Sequence, residues 1–266
     1  MKVFFTFFLL LITTLTFCQY NYELEVEKQD DKIEGELSLG VLQEESVYIG
    51  IDVGQNITFN SPLFGSGGKN TYVGFRAGRL TTSGGGNVYY GWLAGSNTKE
   101  GGQNTIIGGR SGVSLESGDY NTFLGWQSGF NSTGDRNVLL GGFAGFDVSS
   151  GSGNVMIGYA SGDNNDGERN IFIGDFAGYS ETGSNRLYID SADRNTPDNQ
   201  NPLIYGEFDS NLLRINGTLH ISETAKLEPQ STAPTCGTNE MGSLYSDSGG
   251  ILYFCNGTAW KTVQLN

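Results

Sequence analysis

The sequence predicts an all-β chain, a parallel β-solenoid of 16–17-residue coils ending in a small β-meander. Three observations carry that prediction. A nine-residue signature recurs seven times at nearly constant spacing, each copy holds a β-prone run, and 41 of the 266 residues are Gly. One Gly in seven is about twice the usual share, and without a Gly-X-Y period it excludes collagen. Aromatic residues at 12% exclude a disordered chain.

The N-terminus reads as a targeting segment. Met1 and Lys2 precede an apolar, Thr-containing run from Val3 to Phe17 that is too short to span a bilayer comfortably. Thr16 and Cys18 are small enough for the −3 and −1 subsites of a signal peptidase, so cleavage is expected after Cys18, giving a signal peptide over 1–18. A lipidated Cys18 is the rival, disfavoured by bulky Phe17 beside it, and an uncleaved anchor is the other. No other apolar run is long enough to cross a membrane, so no span is expected after cleavage. Residues 19–45 are acidic, with Glu23, Glu25, Glu27, Asp30, Asp31, Glu34, Glu36, Glu44 and Glu45. ELEVE and IEGELSLG alternate with period two, as edge strands capping the first coil would.

Residues 46–190 are the repeat region. Aligned on Asn, the signature is Asn-x-x-hydrophobic-Gly-x-x-Ala/Ser-Gly. It reads NTYVGFRAG from Asn70, NVYYGWLAG from Asn87, NTIIGGRSG from Asn104, NTFLGWQSG from Asn121, NVLLGGFAG from Asn137, NVMIGYASG from Asn154 and NIFIGDFAG from Asn170. Successive copies lie 17, 17, 17, 16, 17 and 16 residues apart. A worn copy, SVYIGIDVG, begins at Ser46 and a truncated one, NRLYID, at Asn185. Helical repeats need roughly 33 residues or more. All five prolines lie outside 70–190, as a hydrogen-bonded ladder requires. One coil per unit is what remains, with a rise of roughly 4.8 Å each, or about 34 Å for seven.

Each position then has a mechanical task. The leading Asn is expected to form a ladder of side-chain amides between coils, the fifth-position Gly to mark a bend where backbones approach closely, and the ninth-position Gly to supply positive φ. The small eighth residue fits a cramped interior. The run between Asn and Gly does not alternate apolar with polar, so both of its faces are expected to be covered. With positions two and four facing into a thin coil, position three (Tyr72, Tyr89, Ile106, Phe123, Leu139, Met156 and Phe172) forms an outer stripe. Burying those seven side chains is worth about 10–20 kcal/mol, so the stripe is assigned to an oligomer interface. The alternative is a wider coil enclosing position three within one chain.

The repeat units resemble the head repeats of trimeric autotransporter adhesins, and are similar to repeat segments of bacterial and phage-tail fibre proteins. The resemblance covers 46–190. It implies a left-handed parallel β-roll, three chains side by side in a homotrimer, and an exported bacterial surface protein.

Beyond the repeats, 191–229 is expected to close the rod with short strands in LIYGEF, LLRING and LHIS, since an open solenoid end is an unpaired edge. His220 reads as an outward residue of the last strand. Residues 230–266 form a separate module in which GSLY, ILYFC and AWKTV make a three-stranded meander. After signal removal the two remaining thiols, Cys236 and Cys255, pair as a disulfide in an exported chain, the alternative being two buried free thiols. Trp260 with Tyr245, Tyr253 and Phe254 makes its minimal core, or stacks on a sugar ring.

The mature chain carries 14 basic and 29 acidic residues, so a duplex nucleic-acid partner is not expected. One His and two Cys leave too few ligands for a zinc site, neither a Gly-x-Ser-x-Gly elbow nor a Walker loop occurs, and no catalytic residue, metal or cofactor is assigned. Position six carries Phe75, Trp92, Trp126 and Tyr159, aromatics just after the bend that are placed either to hold glycan rings or to pack between chains. The expected function is therefore a non-catalytic surface adhesin or fibre module presenting a face to a glycan or other surface macromolecule. A structural spacer without its own ligand is the alternative, and a polysaccharide-degrading solenoid enzyme a more distant one.

Overall fold

The computed structural model describes residues 21–23, 38–42, 46–56, 68–191 and 201–264. The expected signal segment and most of the acidic stretch lie outside the described residues. The described chain divides into two compact units, meeting in sequence between Gly217 and Thr218. That division falls inside the segment expected to cap the rod.

In the first unit each signature copy contributes one short strand, as its β-branched and aromatic residues favour. These are β3 (Ser46–Gly50), β4 (Thr71–Val73), β5 (Val88–Tyr90), β6 (Thr105–Ile107), β7 (Thr122–Leu124), β8 (Val138–Leu140), β9 (Val155–Ile157), β10 (Ile171–Ile173) and β11 (Arg186–Ile189). They pair parallel and in register, so that Tyr48, Tyr72, Tyr89, Ile106, Phe123, Leu139, Met156, Phe172 and Tyr188 form one column. The fold is the expected β-solenoid. At its start β1 (Asn21–Glu23) and β2 (Ser38–Leu42) add antiparallel strands onto β3. At its end β12 (Ile204–Glu207) and β13 (Leu212–Ile215) do the same beyond β11. The third expected closing strand is not formed. LHIS, past β13, forms no strand, and His220 is exposed.

The column of third positions corrects the expectation of an outer stripe. Tyr72, Tyr89, Ile106, Phe123, Leu139, Met156 and Phe172 are each 0% exposed in a single chain, so they form the core and line no oligomer interface. Three-residue strands send positions two and four to one face and position three to the other, and the chain curls around position three. Its rings pack on one another along the rod, as Tyr72 and Tyr89 do with centroids 4.6 Å apart. Across the coil, position three meets small Ala or Ser at position eight and a further inward residue at position twelve: Thr81, Thr98, Leu115, Ser132, Val148 or Asn165. The two co-vary in size. Tyr72, Tyr89 and Phe123 face Thr81, Thr98 and Ser132, whereas shorter Ile106 and Leu139 face Leu115 and Val148. A nearly fixed core volume per coil explains the pattern.

The leading asparagines are buried and bind coil to coil, by a route more specific than a stack of amides. Each Asn Oδ1 accepts the backbone N–H of the residue opening the next coil, at 2.8–2.9 Å from Asn87 through Asn170 to Arg186. The last coil opens at Arg186 and not, as the sequence alignment has it, at Asn185, because Tyr188 is the residue paired with Phe172. Each Nδ2 donates to a Gly carbonyl at 2.8–3.0 Å, the acceptors being Gly84, Gly101, Gly118, Gly134, Gly151, Gly167 and Gly183. Both ends of every amide are therefore satisfied away from water, which a buried polar group needs.

The fifth-position glycines adopt the expected close approach. At Gly108, with φ +139, an added Cβ would lie 2.1 Å from the carbonyl oxygen of Gly125 one coil on. Unforeseen from the sequence, position seven also adopts left-handed φ of 50–59° in every coil without being Gly, at Arg76, Leu93, Arg110, Gln127, Phe143, Ala160 and Phe176. Such a residue costs roughly 1–2 kcal/mol by itself, which the stacked hydrogen bonds offset.

The second unit holds the expected meander. β14 (Leu244–Ser246), β15 (Leu252–Cys255) and β16 (Trp260–Thr262) pair antiparallel in order. Cys236 and Cys255 are joined by a disulfide with Cα atoms 5.6 Å apart. Tyr245 stacks on Tyr253 at 4.8 Å and meets Trp260 edge-on at 4.6 Å, and Trp260 Nε1 donates to the Pro234 carbonyl at 2.7 Å. Those contacts make Trp260 part of the small core.

Asn121→Ala would leave the Asn137 N–H and the Gly134 carbonyl buried without partners. It is expected to lower unfolding free energy by about 2–5 kcal/mol, read by urea denaturation followed by far-UV circular dichroism. An exposed Asn in the C-terminal unit such as Asn256, replaced by Ala, serves as the comparison and is expected to leave the solenoid transition in place.

Candidate functional site

With position three inside, the outer surface belongs to positions two, four, six, seven and ten. The structure separates the four position-six aromatics instead of joining them in one site. Phe75 is 39% exposed, but its own neighbour covers a face: the Arg76 guanidinium lies 4.7 Å above the ring while its Nε donates to Asp52 at 3.0 Å. Trp92 and Trp126 are 46% and 47% exposed and lie two coils apart with ring centroids only 6.0 Å from each other. They reach that distance because position six of the coil between them is Gly109, over which Trp126 folds. A Cβ on Gly109 would come within 2.6 Å of that ring. The Trp126 indole N–H donates to Gln127 Oε1 at 2.8 Å, fixing the ring's attitude. The Gly that breaks the aromatic series in the sequence is thus the residue that makes room for a paired platform.

Tyr159 belongs to a second group. It is half-buried, with its ring 5.6 Å from Phe143 and 5.5 Å from Phe176, both edge-on. Phe176 in turn lies 5.7 Å from Tyr179, and Phe146 joins Phe143 to Phe130. Positions seven and ten, not singled out from the sequence, supply most of this cluster. Their signal was present as aromatics recurring at the 16–17-residue period outside the signature's hydrophobic run. An open depression of ≈ 230 Å³ is lined here by Phe143, Tyr159, Ala160, Asp163, Phe176 and Tyr179. Asp163 Oδ1 is buried, and the backbone N–H groups of Asp147 and Asn164 lie against its carboxyl. Burial, and secondarily the charge of Asp147, pushes the Asp163 carboxyl up to about 6.

The sheet face formed by positions two and four mixes exposed apolar residues with Thr71, Thr105 and Thr122. Val88, Tyr90, Leu124 and Ile157 are 37–58% exposed, and Val47 and Ile49 of β3 continue the face. A sheet with an apolar outer face marks an interaction surface more often than a solvated one. Among the described residues no group of three or more His, Cys, Asp or Glu is placed to hold a metal ion, and no helix is long and apolar enough to cross a membrane.

The fold and this surface define the class: a β-solenoid repeat protein carrying exposed aromatic platforms on a hydrogen-bonded stack of coils. Comparison with protein-family models, curated proteins and solved structures finds no significant match to the chain.

Because Asp163 is held above its unfolded value, the folded state binds more protons than the unfolded state between about pH 4 and 6, and stability falls as pH rises through that window. Asp163→Asn is therefore expected to raise the melting temperature at pH 7 and to change it little below pH 4. Thermal melts at the two pH values check this.

Proposed function

We propose that the protein is an exported, non-catalytic surface adhesin or fibre module whose solenoid presents a binding face for a glycan. The observation that carries this reading is the Trp92–Trp126 pair, two large rings left half in water on a backbone that cannot easily rearrange. Exposed aromatic side chains held at fixed spacing give contact area at little entropic cost, as binding surfaces require. Phe75 and Tyr159 flank that pair along the same series but have other partners, so they are secondary contacts at most. The acidic balance of the chain supports a neutral saccharide over a polyanionic one.

Self-association is part of the same proposal, moved from position three to the outer sheet face. Sister chains in a homotrimer would cover Tyr90, Leu124 and Ile157 together with the position-two residues beside them. The in-register ladder supports this, since it aligns the exposed apolar residues of successive coils along one face.

The test is a glycan array probed with the mature protein and with Trp92→Ala/Trp126→Ala. At least about a tenfold loss of signal in the variant is expected with its circular dichroism spectrum unchanged. Array signal that is undiminished in the folded variant would sink the glycan platform, and no signal from either protein would favour the structural spacer. Native mass in solution tests the assembly. A trimer is expected, converting to monomer in Tyr90→Lys/Leu124→Lys, and a wild-type monomer at micromolar concentration would overturn it.

A further inference from the structure

Between the coils that carry Trp92 and Trp126 runs the coil beginning at Asn104, and its seventh residue is Arg110. The Arg110 backbone N–H donates to the Trp92 carbonyl at 2.7 Å, and the Gly109 carbonyl accepts the Gln127 N–H at 3.0 Å. Arg110 is therefore fixed beside the gap over Gly109 that the Trp126 ring fills. Through positions one to twelve of the coils beginning at Asn87, Asn104 and Asn121, Arg110 is the single charged residue. Two coils earlier the equivalent residue, Arg76, has its charge met by Asp52 at 3.0 Å. Arg110 instead has Leu93 and Gln127 at position seven on either side, and among the described residues it enters no ion pair. What holds it is a ring. Its guanidinium lies 4.7 Å from the centroid of Phe130, which is itself stacked on Phe146 at 5.1 Å.

Resting on the glycan reading of the Trp92–Trp126 pair, we propose that Arg110 sets the specificity of that platform. The ligand is then an otherwise neutral saccharide carrying a single carboxylate, of the uronic-acid or sialic-acid class. A guanidinium stacked on a ring gives up a face and keeps its in-plane N–H donors, which form a fork matched to a carboxylate. Phe130, held by Phe146, sets the attitude of that fork before a ligand arrives, so less side-chain freedom is lost on binding. The two kinds of contact are adjacent in the chain, since the indole of Trp126 covers Gly109 and Arg110 follows it. A wholly uncharged sugar would use the indoles and leave the local cation without a counter-charge. A polyanionic glycan would meet the net charge of −14 of the whole chain. One carboxylate on a sugar ring satisfies Arg110 and escapes most of that repulsion, because charge pairs at close range gain more than screened distant charges cost.

Saccharides ending in glucuronic acid or N-acetylneuraminic acid, each beside its methyl ester and a sulfated counterpart, are the probes, arrayed and then titrated into the full chain by calorimetry. The wild type is expected to bind the acid at least about tenfold more tightly than its ester, with a margin that narrows as salt is added. Arg110→Gln introduces the residue that Gln127 already places at the same left-handed position one coil on, with φ of 55° against 57° at Arg110, so the fold is kept. That variant should bind the ester as the wild type does and show no preference for the acid. Trp92→Ala/Trp126→Ala should lose acid and ester alike. Equal binding of acid and ester by the wild type, a preference that persists in Arg110→Gln, or tighter binding of the sulfated counterpart overturns the assignment to a carboxylate. When one of those results comes with a signal that still depends on the Trp pair, the glycan platform survives the loss. A signal absent for every saccharide, or indifferent to the Trp pair, removes both readings.

Discussion

The side-chain amide at the head of each repeat is the constraint on which the rest of this structure depends. A coil of 16 or 17 residues has too little interior to be held by apolar burial alone, and its neighbours touch it only above and below. The leading Asn solves both problems at once. Its Oδ1 takes a backbone N–H from the next coil, and its Nδ2 closes on a carbonyl 13 or 14 residues ahead in its own chain. The alternation in repeat length follows from this closure. Where the spacing is 17, as from Asn137 to Asn154, the bond reaches 14 residues to Gly151. Where it is 16, as from Asn121 to Asn137, it reaches 13 residues to Gly134. The residue lost belongs to the outer turn, so the amide geometry and the parallel register survive it.

Around that frame the core is one large side chain thick. Position three fills it, position eight stays small, and position twelve adjusts to what position three leaves. The glycines are the other half of the same economy. Coil-to-coil approach at position five leaves no room for a Cβ against the carbonyl of the next coil, so side-chain bulk is permitted only where it points inward at position three or outward elsewhere. Apart from the matched changes at positions three and twelve, variation in the repeat is therefore pushed to positions two, four, six, seven and ten, where identity affects what the surface meets and has little effect on whether the coils stack.

Those outer positions carry two different kinds of aromatic surface. Near the middle of the rod, Trp92 and Trp126 close over a glycine and leave their faces to water. Toward its end, Phe143, Tyr159, Phe176 and Tyr179 line an open depression together with Asp163. The sheet face of positions two and four, where Val88, Tyr90, Leu124 and Ile157 are exposed, is a third surface.

The sequence by itself determined the solenoid, its coil length, the buried Asn column and the tight glycine bend, because each of these needs the same residue at the same place in every coil and so leaves a periodic trace. It also pointed to the C-terminal meander, from its turn residues, and to a Cys236–Cys255 pair, given that Cys18 lies in the expected signal segment. Which side of the three-residue strand faces inward was decided only by the tertiary structure. A strand whose position two is Thr in some coils and Val or Ile in others, beside apolar positions three and four, has no consistently polar face to orient it, and the volume relation between positions three and twelve that settles the matter joins residues nine apart across the coil. The grouping of the surface aromatics was hidden for the same reason. Trp92 finds Trp126 across two coils, and Ala160 becomes a floor only because Phe143 and Phe176 stand one coil away on either side, distances that stacking makes short and the chain makes long.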